Sequence, residues 1–323
     1  MKVGVLQFFG WLDRSVPLPS IYAMALERIA IMDTAGYDAV WLAEHHFSSF
    51  SVCPSVHMMG VMAAARTKRL RIGTGVSLAP FYNPLRLAEE VALLDVLSGG
   101  RVNWGAGRGF ERSEFKAFGI PGEESTSRFH ETVDIVLKAW TNDKISYQGK
   151  YYSYDDVEVL PKPLQSPHPP VWMAATSTAA IEWAAAKGFS ILMDPHSSHD
   201  QIGEKRALYA RTLAAHGHSP EGREFPTARM IAIAPTDREA EAVARAGAEW
   251  TIGSYARVPG TPTEPSAAIE RYVNDVVIHG SPERVVDQIQ SLRERIGLDY
   301  LMCAPLSHES FMRFTDEVLP KLA

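Results

Sequence analysis

From Lys2 onward the chain alternates between short aliphatic runs and longer amphipathic segments, eight times over. A strand over 2–8 leads to a helix over 21–32, with Ser20 as its cap and Gly36 as its stop. Strand 38–43 is followed by a helix near 54–66, and strand 70–79 by a helix over 84–97 that ends at Gly99-Gly100. A strand beginning at Arg101 precedes a helix over 125–140. Strands 171–175, 190–193 and 228–234 precede helices over 178–187, 200–215 and 237–250. Ser281-Pro282 then supplies an N-cap and a first-turn proline for a helix to Gly297, and strand 299–304 and a last helix end the pattern. Strict alternation specifies a parallel sheet, and eight units without a long composition break predict an α/β chain closed into a (β/α)8 TIM barrel.

The 323 residues exceed the roughly 250 typical of that barrel, and the excess falls in inserts at 110–124, 141–168 and 251–279. The chain is therefore read as one domain over 1–323, with the inserts shaping or covering the mouth. Around Gln148-Gly149 the aromatic segment 145–154 alternates like a small hairpin whose tyrosines either line the mouth or pack on the barrel wall, packing being the expected role of any single one. A net charge of -6 with no local Lys/Arg cluster argues against nucleic acid. No apolar run approaches the about 18 residues of a membrane helix, and residues 1–9 lack a signal peptide's apolar core. Cys53 and Cys303 lie far apart and read as reduced thiols. A cytoplasmic enzyme acting on small molecules is expected.

In a parallel barrel the residues at strand carboxyl ends converge, so they are collected first. Ala39-Val-Trp-Leu-Ala-Glu-His-His-Phe47 ends a buried-strand pattern in Glu44, His45 and His46. Imidazole changes charge near neutral pH, which makes His45 the candidate proton carrier, its tautomer fixed by Glu44 or by backbone. Adjacent side chains of an extended chain point apart, leaving His46 as scaffold. Gly105-Ala-Gly-Arg-Gly109 has Phe110 where a dinucleotide fingerprint needs its third glycine. It offers close backbone approach and a guanidinium, Arg108, suited to phosphate. Thr176-Ser177-Thr178 precedes a helix whose free N–H groups bind anions, a role compatible with Ser177 or Thr178 being an N-cap. Metal binding is the rival use, with Asp194, His196 and His199 as ligands, but the order Glu44-His45-His46 lacks the His-x-His spacing of a barrel hydrolase and His130-Glu131 lacks a second histidine four residues on. No catalytic metal is expected.

With these residues in view, the chain resembles the bacterial luciferase-like family of flavin-dependent monooxygenases. The markers are Trp41-Leu-Ala-Glu-His-His-Phe47, Gly73-Thr-Gly-Val76, Asn83-Pro-Leu-Arg86, Ala88-Glu-Glu-Val91, Leu94-Asp-Val-Leu-Ser-Gly-Gly-Arg101, Gly107-Arg-Gly-Phe110 and Glu182-Trp-Ala-Ala185. The resemblance implies reduced FMN at the barrel mouth, reaction with O2 at the flavin C4a carbon, and oxidation of a small organic substrate by the peroxyflavin. By position it implies His45 as catalytic base, Glu44 beside the ring, and a non-proline cis peptide at Gly75-Val76 under the isoalloxazine. It further implies Arg108 with Thr176, Ser177 and Thr178 at the phosphate, Gly107 in contact with the cofactor, and Phe110 and Met173 flanking the ring. Gly107 stands where luciferase has a reactive cysteine, Thr176 where it has an acid, and Asp194-Pro195 where it has a Ser-Trp pair, so light emission is not implied. Members of the family that use coenzyme F420 and transfer hydride are the alternative, ahead of a metal-dependent barrel hydrolase or a non-catalytic flavin-binding subunit. The missing dinucleotide fingerprint implies a separate NAD(P)H:flavin reductase as supplier. Family likeness implies a homodimer, and a lid formed by 251–279 or by the loop after Phe110.

Overall fold

Val3, Val5 and Leu6 are buried along β1 (Lys2–Gln7), and every residue of β2 (Ala39–Leu42) is buried, as strands covered on both faces require. The computed structural model describes residues 1–254 and 264–322. The chain divides into two compact units, Gln7–Trp172 and Met1–Leu6 with Met173–Ala323.

In the Gln7–Trp172 unit, α1 (Leu18–Ala35) precedes β2, and α2 (Val56–Ala64), β3 (Arg71–Thr74), β4 (Ser77–Leu78) and α3 (Pro84–Ser98) follow. Then come β5 (Val102–Gly107), α4 (Arg112–Ala117), α5 (Ser125–Thr141), β6 (Lys144–Gln148) and β7 (Ser153–Glu158). β2 pairs in parallel with β3, and β3 with β5, through Trp41↔Gly73 and Gly73↔Asn103. The strand expected over 70–79 is broken. β3 stops at Thr74, the Gly75–Val76 peptide is cis, and β4 resumes the pairing with β5 at Ser77↔Ala106.

Asn83 caps α3 by accepting from Leu85 N and Arg86 N, and Gly99 ends it at φ 71°. α1 starts one turn earlier than expected, at Leu18 after Pro17, so Ser20 lies inside its first turn and caps nothing. The insert at 110–124 is not a loop, because it contains α4. β6 and β7 form the expected hairpin, docked on α5 by Glu131, which accepts from Tyr151 N at 3.0 Å and Tyr152 N at 2.9 Å.

β8 (Val171–Ala174) crosses the division, and α6 (Thr178–Ala186), β9 (Ser190–Leu192), α7 (His199–Ala215), β10 (Pro226–Ile233) and α8 (Asp237–Ser254) follow. α9 (Pro265–Asp275), β11 (Ile278–Gly280), α10 (Pro282–Ile296), β12 (Tyr300–Pro305) and α11 (His308–Arg313) complete the described chain. β12 pairs in parallel with β1 at Lys2↔Tyr300 and with β10 at Pro226↔Tyr300. The arrangement is α/β and TIM-barrel-like, without the continuous ladder expected of a closed barrel. β9 meets β10 through one bridge, Met193↔Thr227, while the added strand β11 takes the second half of that edge at Ile231↔Ile278.

Part of the insert at 251–279 is helical, since α8 runs to Ser254 and Glu264 caps α9 by accepting from Ser266 N and Ala267 N. Residues 255–263, on which part of the expected lid falls, lie outside the described residues. Ser281 precedes α10, but its side chain makes no cap bond, and its N–H donates to Asp237 Oδ1 at 2.8 Å. Cys53 and Cys303 are both buried and reduced. Among the described residues no helix is long and apolar enough to cross a membrane.

Candidate active site

β2 delivers Glu44, His45 and His46 just past its carboxyl end, and the loop that follows is tied back by backbone. Ala43 N donates to Gln7 O at 3.2 Å, and His45 N to Cys53 O at 3.2 Å. The buried Glu44 carboxylate is fully engaged: Oε1 lies 3.0 Å from His46 Nε2, and Oε2 accepts from Tyr82 Oη at 2.9 Å and Leu78 N at 3.4 Å. Burial first, and then the Glu44 charge, push the Tyr82 phenol up, so it remains a hydrogen donor to that carboxylate. Glu44 therefore orients His46 and not His45. The His46 ring packs edge-on against Phe118 at 4.8 Å.

The acid beside His45 is Glu114 of α4. Its Oε1 accepts from His46 N at 2.8 Å and lies 3.5 Å from His45 Nδ1. A carboxylate only accepts, so the ring nitrogen that faces it, Nδ1, is the one suited to carry the hydrogen, with Nε2 as the other ring nitrogen. The His45 ring is bordered by Phe8, Phe50 and Phe110 at centroid distances of 6.4, 5.4 and 6.4 Å. Beside it opens a cleft of about 330 Å³ whose lining includes Arg14, Tyr22, His45, Ser48 and Ser51. At the N-terminus of α4, Glu111 is pushed up by burial and then by the Glu114 charge, against the opposing effect of His45. Sequence reasoning missed Glu114. Its only signal was an acid next to Phe115 inside a segment read as a loop.

The other expected positions of this unit surround that cluster in the chain. Gly75 and Val76 are part-exposed, while Ser77 and Leu78 are buried. Gly107 ends β5 as a buried residue, in register with Leu78. Arg108 is exposed, and its Nη1 donates to Ser125 Oγ at 3.3 Å, leaving most of the guanidinium for a ligand. Phe110 is 44% exposed and lies edge-on to the His45 ring.

In the second unit Met173 is buried on β8, and Thr176, Ser177 and Thr178 are exposed at the start of α6. Ser177 is the N-cap, accepting from Ala180 N at 3.3 Å, which leaves the earlier N–H groups of the helix for an anion. Asp194 folds back on its own loop, accepting from His196 N at 2.9 Å and Ser197 N at 2.7 Å, with Lys205 Nζ at 3.2 Å. Burial would push Asp194 up, but Lys205, His196 and Arg229 outweigh it and hold the carboxyl below its usual range. His196 Nδ1 lies 2.8 Å from Tyr272 Oη. Among the described residues no three His, Cys, Asp or Glu side chains are placed to hold a metal.

The model of the luciferase-like monooxygenase family matches residues 1–300. Among relatives, protein y4vJ of Sinorhizobium fredii, uncharacterized, is 30% identical over 199 residues, 61% of this chain and 57% of that one. The oxygenase component of flavin-dependent trigonelline monooxygenase from Acinetobacter baylyi is 29% identical over 227 residues, 69% of this chain and 62% of that one. The chain thus covers less than two thirds of either relative's length. Monooxygenase RslO1 from Streptomyces bottropensis is similar over 100% of both chains, at 26% identity and a TM-score of 0.88. The fold is also that of the oxygenating constituent of 3,6-diketocamphane monooxygenase of Pseudomonas putida, solved with FMN, at 20% identity and TM-score 0.82 over 99% and 98% of the two chains. An F420-dependent secondary alcohol dehydrogenase shares it at 18% identity and TM-score 0.79 over 100% and 99%. The chain belongs to the luciferase-like monooxygenase family.

Proposed function

We propose that this chain is the oxygenase of a flavin-dependent monooxygenase that uses reduced FMN and O2 to oxidise a small organic substrate. The observation that carries the reading is His45, oriented by the buried Glu114 and bordered by phenylalanines at the edge of a cleft. Reduced flavin, when bound, supplies the electrons that activate O2. His45 Nε2 takes a proton from the reacting group and returns it, while Glu114 supports the charge that the ring then carries. Phe8, Phe50 and Phe110 keep water from the same space.

The residues fit the cofactor. The exposed Arg108 guanidinium suits a phosphate, and Gly75, Val76, Gly107 and Phe110 suit the ring; in the second unit the open N–H groups at Thr176–Thr178 suit a phosphate, and Met173 suits the ring. The RslO1 likeness over the whole of both chains supports reading residues 1–323 as a single domain. The absent dinucleotide fingerprint, and the relative named as an oxygenase component, support a separate reductase. The apolar positions Met58, Met62, Leu93 and Leu97, exposed at helical spacing on α2 and α3, support a homodimer through that face.

The test is anaerobic titration with reduced FMN and with reduced F420, followed by O2 and a substrate panel. Tight binding of reduced FMN with oxygen-dependent product is expected. Binding of F420 alone, with hydride transfer and no oxygen consumption, would replace this reading by the F420 one. His45→Ala should keep FMN affinity and lose substrate oxidation. NADH oxidation at turnover rates by the chain with FMN alone would remove the reductase.

A further inference from the structure

Glu90 of α3, His57 of α2 and Ser77 of β4 form one line of hydrogen bonds. His57 Nδ1 lies 3.0 Å from Glu90 Oε2, and His57 Nε2 lies 3.0 Å from Ser77 Oγ. Arg86 Nε donates to the other Glu90 oxygen at 2.7 Å. His57 and Ser77 are buried, whereas the Glu90 side chain, at the outer end, is 27% exposed. The hydrogen bond from His57 holds Glu90 below the usual carboxylate range against the effect of burial, with Arg86 assisting. Glu90 is thus ionised at neutral pH and only accepts, which puts the imidazole hydrogen on Nδ1. Nε2 then faces the Ser77 hydroxyl.

The same order of groups activates a serine nucleophile in acyl transfer. A nucleophile must meet its substrate, and Ser77 exposes none of its surface. The line instead ends on a stretch of backbone held at several points. Gly75 N donates to Leu42 O at 2.7 Å, Ser77 pairs with Ala106, and Leu78 N reaches Glu44 Oε2 at 3.4 Å. That stretch is where the flavin ring is proposed to lie.

We infer that His57 is a positioning residue. Through Ser77 it fixes the course of Gly75–Leu78 and so the seat of the isoalloxazine, and the second half of this statement rests on the flavin reading.

The test uses the full-length chain as His57→Ala, Ser77→Ala, the double variant and His57→Gln, whose amide reaches the place of Nε2. Amide exchange is measured without flavin, and FMN affinity separately. Exchange at residues 75–78 should accelerate about tenfold in either alanine variant, the size of one buried hydrogen bond. The double variant should be no worse than the singles, His57→Gln should recover most of the loss, and the β6–β7 hairpin should be unchanged. FMN affinity should weaken about tenfold in the same order. Unchanged exchange at 75–78, acceleration spread over the whole unit, or additive singles would overturn the inference. So would localised exchange with FMN affinity intact, or esterase activity that Ser77→Ala abolishes. A wild-type chain that binds no FMN while its exchange pattern holds would overturn the flavin reading alone.

Discussion

Glu114 Oε1 stands 3.5 Å from His45 Nδ1 while accepting the His46 amide at 2.8 Å, so one buried carboxylate sets both the ring and the backbone of the candidate base. Glu114→Gln keeps an oxygen for the His46 amide and removes the negative charge beside the imidazole. Substrate oxidation should fall about a hundredfold, within the range of a general base that loses its orienting acid, while FMN affinity stays within about twofold. Single-turnover kinetics with pre-reduced flavin measures the first, and equilibrium titration the second. An equal loss in both would mean that Glu114 serves the cofactor seat instead.

A second outcome follows from the packing beneath that site. Trp41 is fully buried and lies flat on Gly73 in the neighbouring strand, where an added Cβ would overlap the indole ring. Gly73→Ala should therefore destabilise the fold by about 1–3 kcal/mol, the cost of overpacking a core. Urea unfolding measures it, with the midpoint lowered and the slope unchanged.

These two sites differ in how far they could be read from sequence. The strand at 39–42 and the glycine at 73 belong to local patterns that a one-dimensional reading sees. Which acid serves which histidine is decided by convergence of residues 68 positions apart, as in His46 and Glu114, and no local spacing encodes it. Glu44, next in the chain to His45, was the natural choice. An extended backbone turns neighbouring side chains apart, so Glu44 meets His46 two positions on. The break between β3 and β4 was hidden because Ser77 and Leu78 continue the β-like composition of β3. The helix α4 was hidden because it is too short to show a periodic apolar face.

Acid sensitivity should trace in part to His199. Burial first, then the Arg229 and Arg295 charges, push it down from 6.5 to about 3. Between those values the unfolded chain binds a proton that the folded chain does not, so stability is lost as the pH falls from about 6.5 towards 3. One such group contributes at most about 1.4 kcal/mol per pH unit. His199 Nδ1 has no hydrogen-bond partner, so His199→Leu should leave stability at pH 8 nearly unchanged. It should flatten the decline of melting temperature between pH 6.5 and about 5, as followed by calorimetry. Parallel declines in both proteins would assign the sensitivity elsewhere.

The apolar face of α2 and α3 gives a direct test of association. Met62 and Leu97 are 41% and 56% exposed, on helices that pack together in the Gln7–Trp172 unit. Met62→Lys with Leu97→Lys places two like charges in the proposed dimer contact and little stress in the core. Sedimentation should show the wild type as a dimer and the double variant as a monomer, with melting lowered only by the loss of association.

The phosphate half of the cofactor site can be separated from the ring half by comparing FMN with riboflavin, which lacks the phosphate. Arg108 is exposed and held only loosely by Ser125 at 3.3 Å, so its removal should disturb little of the protein. A guanidinium paired with phosphate contributes a charge-assisted bond, and Arg108→Ala should weaken FMN binding about tenfold or more. Riboflavin binding should change less than about twofold, because the ring contacts remain. Raising ionic strength should weaken FMN binding more in the wild type than in Arg108→Ala, since the variant has already lost the charge pair that salt screens. Equal losses for both flavins would instead place Arg108 in the support of the ring seat, through the segment between β5 and α4.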